Sequence, residues 1–108
     1  MKKEHEVGFA ACGGKGFHIR FPNGLTLSTQ FGGGNYGSNY NLPIGKERDL
    51  ITLEAATVEV AVFKTSGDGK WQTEEISKAA GLGDPGDCVM GYVPFENWLK
   101  LFDACRAA

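Results

Sequence analysis

Residues 17–31, FHIRFPNGLTLSTQF, constrain this chain more than any other stretch. Phe17, Ile19 and Phe21 alternate with His18 and Arg20, the period-2 pattern of a half-buried strand. Pro22-Asn23-Gly24 follows. Proline presets φ for a turn, and Asn-Gly supplies residues that tolerate φ > 0. The return run sets Leu25, Leu27 and Phe31 on one side and Thr26, Ser28 and Gln30 on the other. The two runs specify an antiparallel hairpin with one apolar and one polar face. The apolar face needs a cover from elsewhere in the chain.

Pro94 to Ala107 is that cover. Phe95, Trp98, Leu99, Phe102 and Cys105 fall at helical spacing and form one apolar stripe. Pro94 suits the first helical position, and Glu96 suits the positive end of the helix. Further strands are read at Glu6–Cys12, with Val7, Phe9 and Ala11 on one side, and at Leu50–Leu53. Glu54–Phe63 is a stronger strand. Val58, Val60 and Val62 alternate with Thr57, Glu59, Ala61 and Phe63, which predicts a central strand buried on both faces with Glu59 as the exception. Thr65–Lys70 reads as a hairpin turn, Trp71–Ile76 as its return strand, Ser77–Gly86 as a loop and Asp87–Val93 as the last strand. The sixteen glycines, about twice the usual share of ~7%, cluster between these runs as turn punctuation. The expected fold is α+β: one domain over residues 1–108, an antiparallel sheet built from hairpins, and one C-terminal amphipathic helix packed on it. Residues 1–6 are expected to fray.

Composition removes several function classes. The net charge is −2 and no long basic run exists, which argues against binding duplex nucleic acid. No apolar stretch approaches the ~18 residues of a membrane span. The opening MKKEHEVGFAAC follows its basic pair at once with Glu4 and Glu6, so it does not read as a signal peptide, and the expected location is the cytoplasm. The three cysteines, Cys12, Cys88 and Cys105, contain no CxxC pair, and each reads as a small buried hydrophobe. Two histidines without a triad and no carboxylate pair at ligand spacing leave no catalytic set, metal or cofactor to expect.

The chemistry-bearing stretch is Phe31–Asn41, FGGGNYGSNYN. Gly32-x-Gly34-x-x-Gly37 matches the dinucleotide fingerprint literally, but GSNYNLPIG cannot open the helix that fingerprint requires. Cys12–Gly16 fails as a phosphate loop because Gly16 stands where Ser or Thr must bind magnesium. Residues 65–70 lack the spaced oxygens of an EF-hand. A more general reading survives. Consecutive glycines let backbone N–H groups converge on an anion, Tyr36 and Tyr40 can stack on a base or sugar, and asparagine amides can read polar edges. The polar hairpin face, His18, Arg20, Thr26, Ser28 and Gln30, reads as a solvated face or as a shelf leading into this loop. Lys46 and Arg48, in the polar turn region Leu42–Asp49, can bring positive charge near. The candidate ligand-binding residues are Arg20, Gln30, Gly33, Gly34, Asn35, Tyr36, Asn39, Tyr40 and Arg48.

Phe21-Pro22-Asn23-Gly24, then Ser28, Gln30 and Phe31–Tyr36, resemble a family of small phage- and prophage-encoded proteins with an FPNGxTxSxQFGxGNY-like pattern. VEVAVF at 58–63, Trp71 beyond a turn, and GYV at 91–93 before a C-terminal helix are also similar. The resemblance covers residues 17–107, and the segment before it is a departure. It implies a small binding protein acting in a host cell. The expected function is sequestration of an anionic or nucleotide-like small molecule, such as a host immune signalling nucleotide. The alternatives are inhibition of a host defence effector or nuclease, and a minor structural or assembly role. A homo-oligomer is expected, because a small β domain tends to pair an exposed edge strand.

Overall fold

The computed structural model describes residues 6–13, 15–41, 53–66 and 68–108. Along the chain these form β1 (Gly8–Ala11), β2 (Gly16–Arg20), β3 (Leu25–Gln30), β4 (Thr57–Lys64), α1 (Thr73–Ala79), β5 (Met90–Pro94) and α2 (Phe95–Ala107). The strands lie in the order β1-β2-β3-β4-β5, each antiparallel to its neighbour. The fold is therefore α+β, with a five-stranded antiparallel sheet and the C-terminal helix packed on one face.

The β2–β3 hairpin forms as its alternation dictates, with Ile19 opposite Leu27 and Arg20 opposite Thr26. Its turn is closed by Phe21 N–H to Leu25 C=O at 2.8 Å and by the Asn23 Oδ1 acceptor of Leu25 N–H at 3.2 Å. The other end of that amide donates to the Cys105 carbonyl at 2.7 Å, so the turn also satisfies a carbonyl in the last turn of α2. The core lies between sheet and helices: Leu25, Leu27, Val60, Val62 and Val93 from the strands, Phe21, Ile76 from α1, and Leu101 and Cys105 from α2. Burial pushes the Cys105 thiol up to about 12. Cys12 is only half-buried and Cys88 is exposed, so the expectation of three buried cysteines holds for Cys105 alone.

Several element assignments differ from expectation. The stripe of α2 is Trp98, Leu101, Phe102 and Cys105, while Phe95 and Leu99 face solvent. Leu99 lies about 100° around the helix from Trp98, and Trp98 is held inward by its indole N–H donating to Thr29 Oγ1 at 2.7 Å. Pro94 is the N-cap and the last residue of β5, one place earlier than expected.

Of the stretch read as a return strand, Trp71–Ile76, the residues from Thr73 on form α1 instead, together with the first residues of the following loop. Only Trp71 bridges β4, opposite Phe63. Glu74 and Glu75 then sit in the first turn and Lys78 in the last, matching the helix dipole. Gly81, at φ 78°, closes the helix with a Schellman motif: Leu82 N–H to Ser77 C=O and Gly81 N–H to Lys78 C=O, both at 3.0 Å. β4 and β5 are also shorter than expected, starting at Thr57 and Met90. Of the Leu50–Leu53 strand, only Leu53 lies within the described residues, and it is not in a strand. The Leu42–Asp49 turn lies outside them.

α1 is anchored by Thr73, which is buried. Its hydroxyl accepts Val62 N–H at 2.9 Å and donates to the Cys88 carbonyl at 2.6 Å. Thr73→Val keeps the shape and removes both bonds. It is expected to cost about 1–3 kcal/mol in urea unfolding, because a buried donor and acceptor lose their partner. Thr73→Ser should restore most of the loss. A neutral Thr73→Val would show that this anchor contributes nothing.

The sheet face turned away from the helices is less solvated than its polarity suggested. Thr26 and Ser28 are both buried on it. Thr26 Oγ1 lies 2.6 Å from Thr65 Oγ1, and the His18 ring meets Phe63 edge-on at 5.5 Å, with Trp71 continuing the aromatic row. Larger side chains from β2 and β4 close over the small ones of β3.

Candidate functional site

Loop 31–41 is built, not slack. Its backbone donors are taken up one after another: Asn35 N–H by Gly32 C=O, Gly37 N–H by Asn35 C=O, Tyr40 N–H by Gly37 C=O and Gly34 N–H by Tyr40 C=O, at 2.8–3.2 Å. Two side chains staple it to the chain ahead of β4. Asn39 Oδ1 accepts Gly32 N–H at 2.6 Å, and its amide nitrogen donates to the Glu54 carbonyl at 2.8 Å. Ser38 Oγ accepts Ala56 N–H at 2.7 Å. Gly37 lies directly on β4, where a Cβ would come within 2.5 Å of the Thr57 carbonyl oxygen.

This construction brings the tyrosines together. Tyr36 N–H donates to Glu59 Oε1 at 3.1 Å, and Tyr36 C=O accepts Tyr92 N–H at 2.7 Å. Tyr92 sits in a bulge of β5, where the register against β4 shifts between Val58 and Val60, and it holds φ at 53°. The Tyr36 and Tyr40 rings are parallel within 6° with centroids 5.7 Å apart, and Tyr92 lies 6.2 Å from Tyr36. All three tyrosines of the protein are in this cluster, exposed by 51%, 41% and 56% for Tyr36, Tyr40 and Tyr92. Parallel, half-exposed rings offer a stacking face to a planar group.

The expected site residues divide accordingly. Tyr36 and Tyr40 form the platform. Gln30 is at its margin, paired with Glu59, and its amide reaches Ser28 Oγ at 3.5 Å. Asn35 is half-buried within the loop. Gly33 is buried, and Gly34 turns the chain at φ 86°. Asn39 is a staple whose amide is used at both ends. Arg20 pairs with Thr26, four residues along β3 from Gln30, or roughly 13 Å at ~3.3 Å per residue. Arg48, like Lys46, lies outside the described residues. Tyr92 and Glu59 also contact Tyr36 and were not among the candidates. GYV at 91–93 read only as strand, and nothing local announces the bulge that turns Tyr92 towards a loop more than fifty residues earlier.

A separate apolar cavity of about 210 Å³ opens on the helix side, lined by Phe17, Phe31, Val58, Val93, Phe95 and Trp98. Its one hydroxyl, on Thr29, already accepts the Trp98 N–H. Among the described residues, no group of three or more His, Cys, Asp or Glu side chains is placed to hold a metal ion. No helix among them is long and apolar enough to cross a membrane. Comparison with protein-family models, curated proteins and solved structures finds no match, so the reading of the site rests on its geometry.

Proposed function

We propose that this protein binds and holds a nucleotide-like small molecule, its base stacked on the Tyr36–Tyr40–Tyr92 face. The observation that carries the reading is the gathering of every tyrosine of the chain into one exposed, hydrogen-bonded cluster. Stacking on such a face is tolerant of base identity and is worth about 1–3 kcal/mol per base. Gln30 and Asn35 stand at its margin to take polar edges. The loop N–H groups named above are already engaged, so phosphate recognition falls to a cationic side chain, Arg20 among the described residues, for a ligand long enough to run along the sheet. In a phage-encoded protein the ligand would be a host immune signalling nucleotide, withdrawn from solution.

The same face supports a second reading. Tyr, Asn, Gly and Ser are the residues of adaptable protein-binding loops. The Glu59 carboxylate, which accepts the Tyr36 N–H, disfavours an anion at this face and favours a partner surface that presents hydrogen-bond donors or positive charge, such as that of a host effector.

Calorimetric titration with AMP, cyclic AMP and cyclic di-AMP separates the two. Saturable binding of at least one is expected, weakened at least tenfold when Tyr36→Ala and Tyr40→Ala are combined. Binding that survives the double substitution would remove the site. No heat from any of the three would transfer the reading to a protein partner.

A further inference from the structure

We infer that the free edge of β1 is a self-association seam that joins two copies of this chain into one continuous ten-stranded sheet. The row of residues that forms the heart of the core, Val62, Leu27 and Ile19, ends at Phe9 on β1. Val62 and Leu27 are fully buried, whereas Phe9 is 87% exposed. The apolar layer thus runs past the helices to the rim of the sheet, and Val7 is exposed beside it.

The backbone of that rim is equally open. Cys12 N–H donates to Gly16 C=O, so by the antiparallel alternation Ala10 and Gly8 face β2, and the N–H and C=O groups of Phe9 and Ala11 point outward. β1 is the terminal strand of the sheet. Monomeric sheet proteins blunt such edges with lysine, proline or a bulge. Residues 7–12, VGFAAC, have no charge and no proline. The opposite edge is treated differently: β5 is bulged, and its Tyr92 N–H is taken by loop 31–41.

The occupant that fits this edge is the same edge of a second copy. With a two-fold axis at Ala10, Phe9 of each copy exchanges both backbone bonds with Ala11 of the other, using every outward group of those two residues. The large Phe9 side chain then lies beside a small alanine, and the two Phe9 rings meet on the diagonal, within reach for aromatic side chains. In the same register the Gly8 end of β1 in each copy lies by the Ala11 end of β1 in the other; Glu6 precedes the first end in sequence and Lys15 follows the second, so opposite charges flank the seam at both ends. Ala10 faces Ala10 as a non-hydrogen-bonded pair, with Cα atoms about 4.5 Å apart, inside the range a disulfide spans.

Sedimentation equilibrium of the full chain tests this. The expected mass is twice the 11.6 kDa of one chain, reached as concentration rises. Ala11→Pro deletes an outward donor without touching a β1–β2 bond, and Phe9→Lys charges the seam at an exposed position; each should return the monomer with the far-UV spectrum intact. Ala10→Cys, in a chain carrying Cys12→Ser and Cys88→Ser, should form a covalent dimer on mild oxidation. A monomer at all concentrations overturns the seam. A dimer that survives both Ala11→Pro and Phe9→Lys also overturns it. A dimeric Ala10→Cys chain that fails to cross-link overturns the register.

Discussion

Leu27→Ala is expected to lower the unfolding free energy by about 3 kcal/mol, within the ~2–5 kcal/mol range for truncating a buried leucine. Leu27 is fully buried at the centre of the sheet, flanked by Ile19 and Val62 and roofed by the helices. β3 is paired on both edges and cannot collapse into the space, so most of the cavity persists. Domains of this size are stable by only about 5–15 kcal/mol, so one side chain carries a large share. Urea unfolding followed by tryptophan fluorescence at a fixed protein concentration should show a lower midpoint with an unchanged slope. Leu99→Ala, on the exposed side of α2, should stay within about 0.5 kcal/mol. If the two substitutions cost the same, the helix is packed in the wrong rotation.

Gly37→Ala is expected to dislodge the tyrosine loop. The added methyl would lie 2.5 Å from the Thr57 carbonyl oxygen and 3.3 Å from the Thr57 carbonyl carbon and Val58 Cα, all of them backbone atoms of β4 where it is paired with Pro94 and Val93 of β5. No side chain is there to swing away, so the loop must lift. Lifting it breaks the Ser38 N–H bond to Thr57 C=O at 3.2 Å and pulls Tyr36 C=O from Tyr92 N–H. Overpacking of this kind costs about 1–3 kcal/mol, which corresponds to amide exchange at Tyr92 faster by roughly 5- to 150-fold. Unchanged protection at Tyr92 would mean that the loop does not rest on β4. If nucleotide binding is established, it should weaken in parallel.

Much of the fold could be read from the residues, because its strands carry their own pattern. Phe17, Ile19 and Phe21 declare an inward face, Pro22-Asn23-Gly24 declares the turn, and Val58, Val60 and Val62 declare the partner strand. α1 was hidden for a physical reason. Seven residues are too few to show a helical stripe, and so short a helix is held by its surroundings, here the Thr73 hydroxyl on β4 and Ile76 in the core. The signals that existed were Glu74 and Glu75 early, Lys78 late and Gly81 beyond the end. In the site, Tyr36 and Tyr40 could be read as a stacking pair because they lie close in sequence. The glycines and Asn39 were harder, because the residues that let a loop approach a ligand also let it approach its own strand. In this protein Gly37 and Asn39 serve the strand. Tyr92 could not be found at all, since a bulge is set by the register between two strands and not by any local motif.

That bulge carries a conformational cost at Tyr92. A tyrosine at φ 53° occupies a backbone region that costs a residue with a β-carbon about 1–3 kcal/mol, and glycine would relieve the cost without disturbing the bond from residue 92 to Tyr36 C=O. The fold instead keeps a large, half-exposed ring at a position where its own conformational preference opposes it. The strained residue thus falls within the aromatic cluster, so relieving the strain with glycine would also remove one of the three clustered rings.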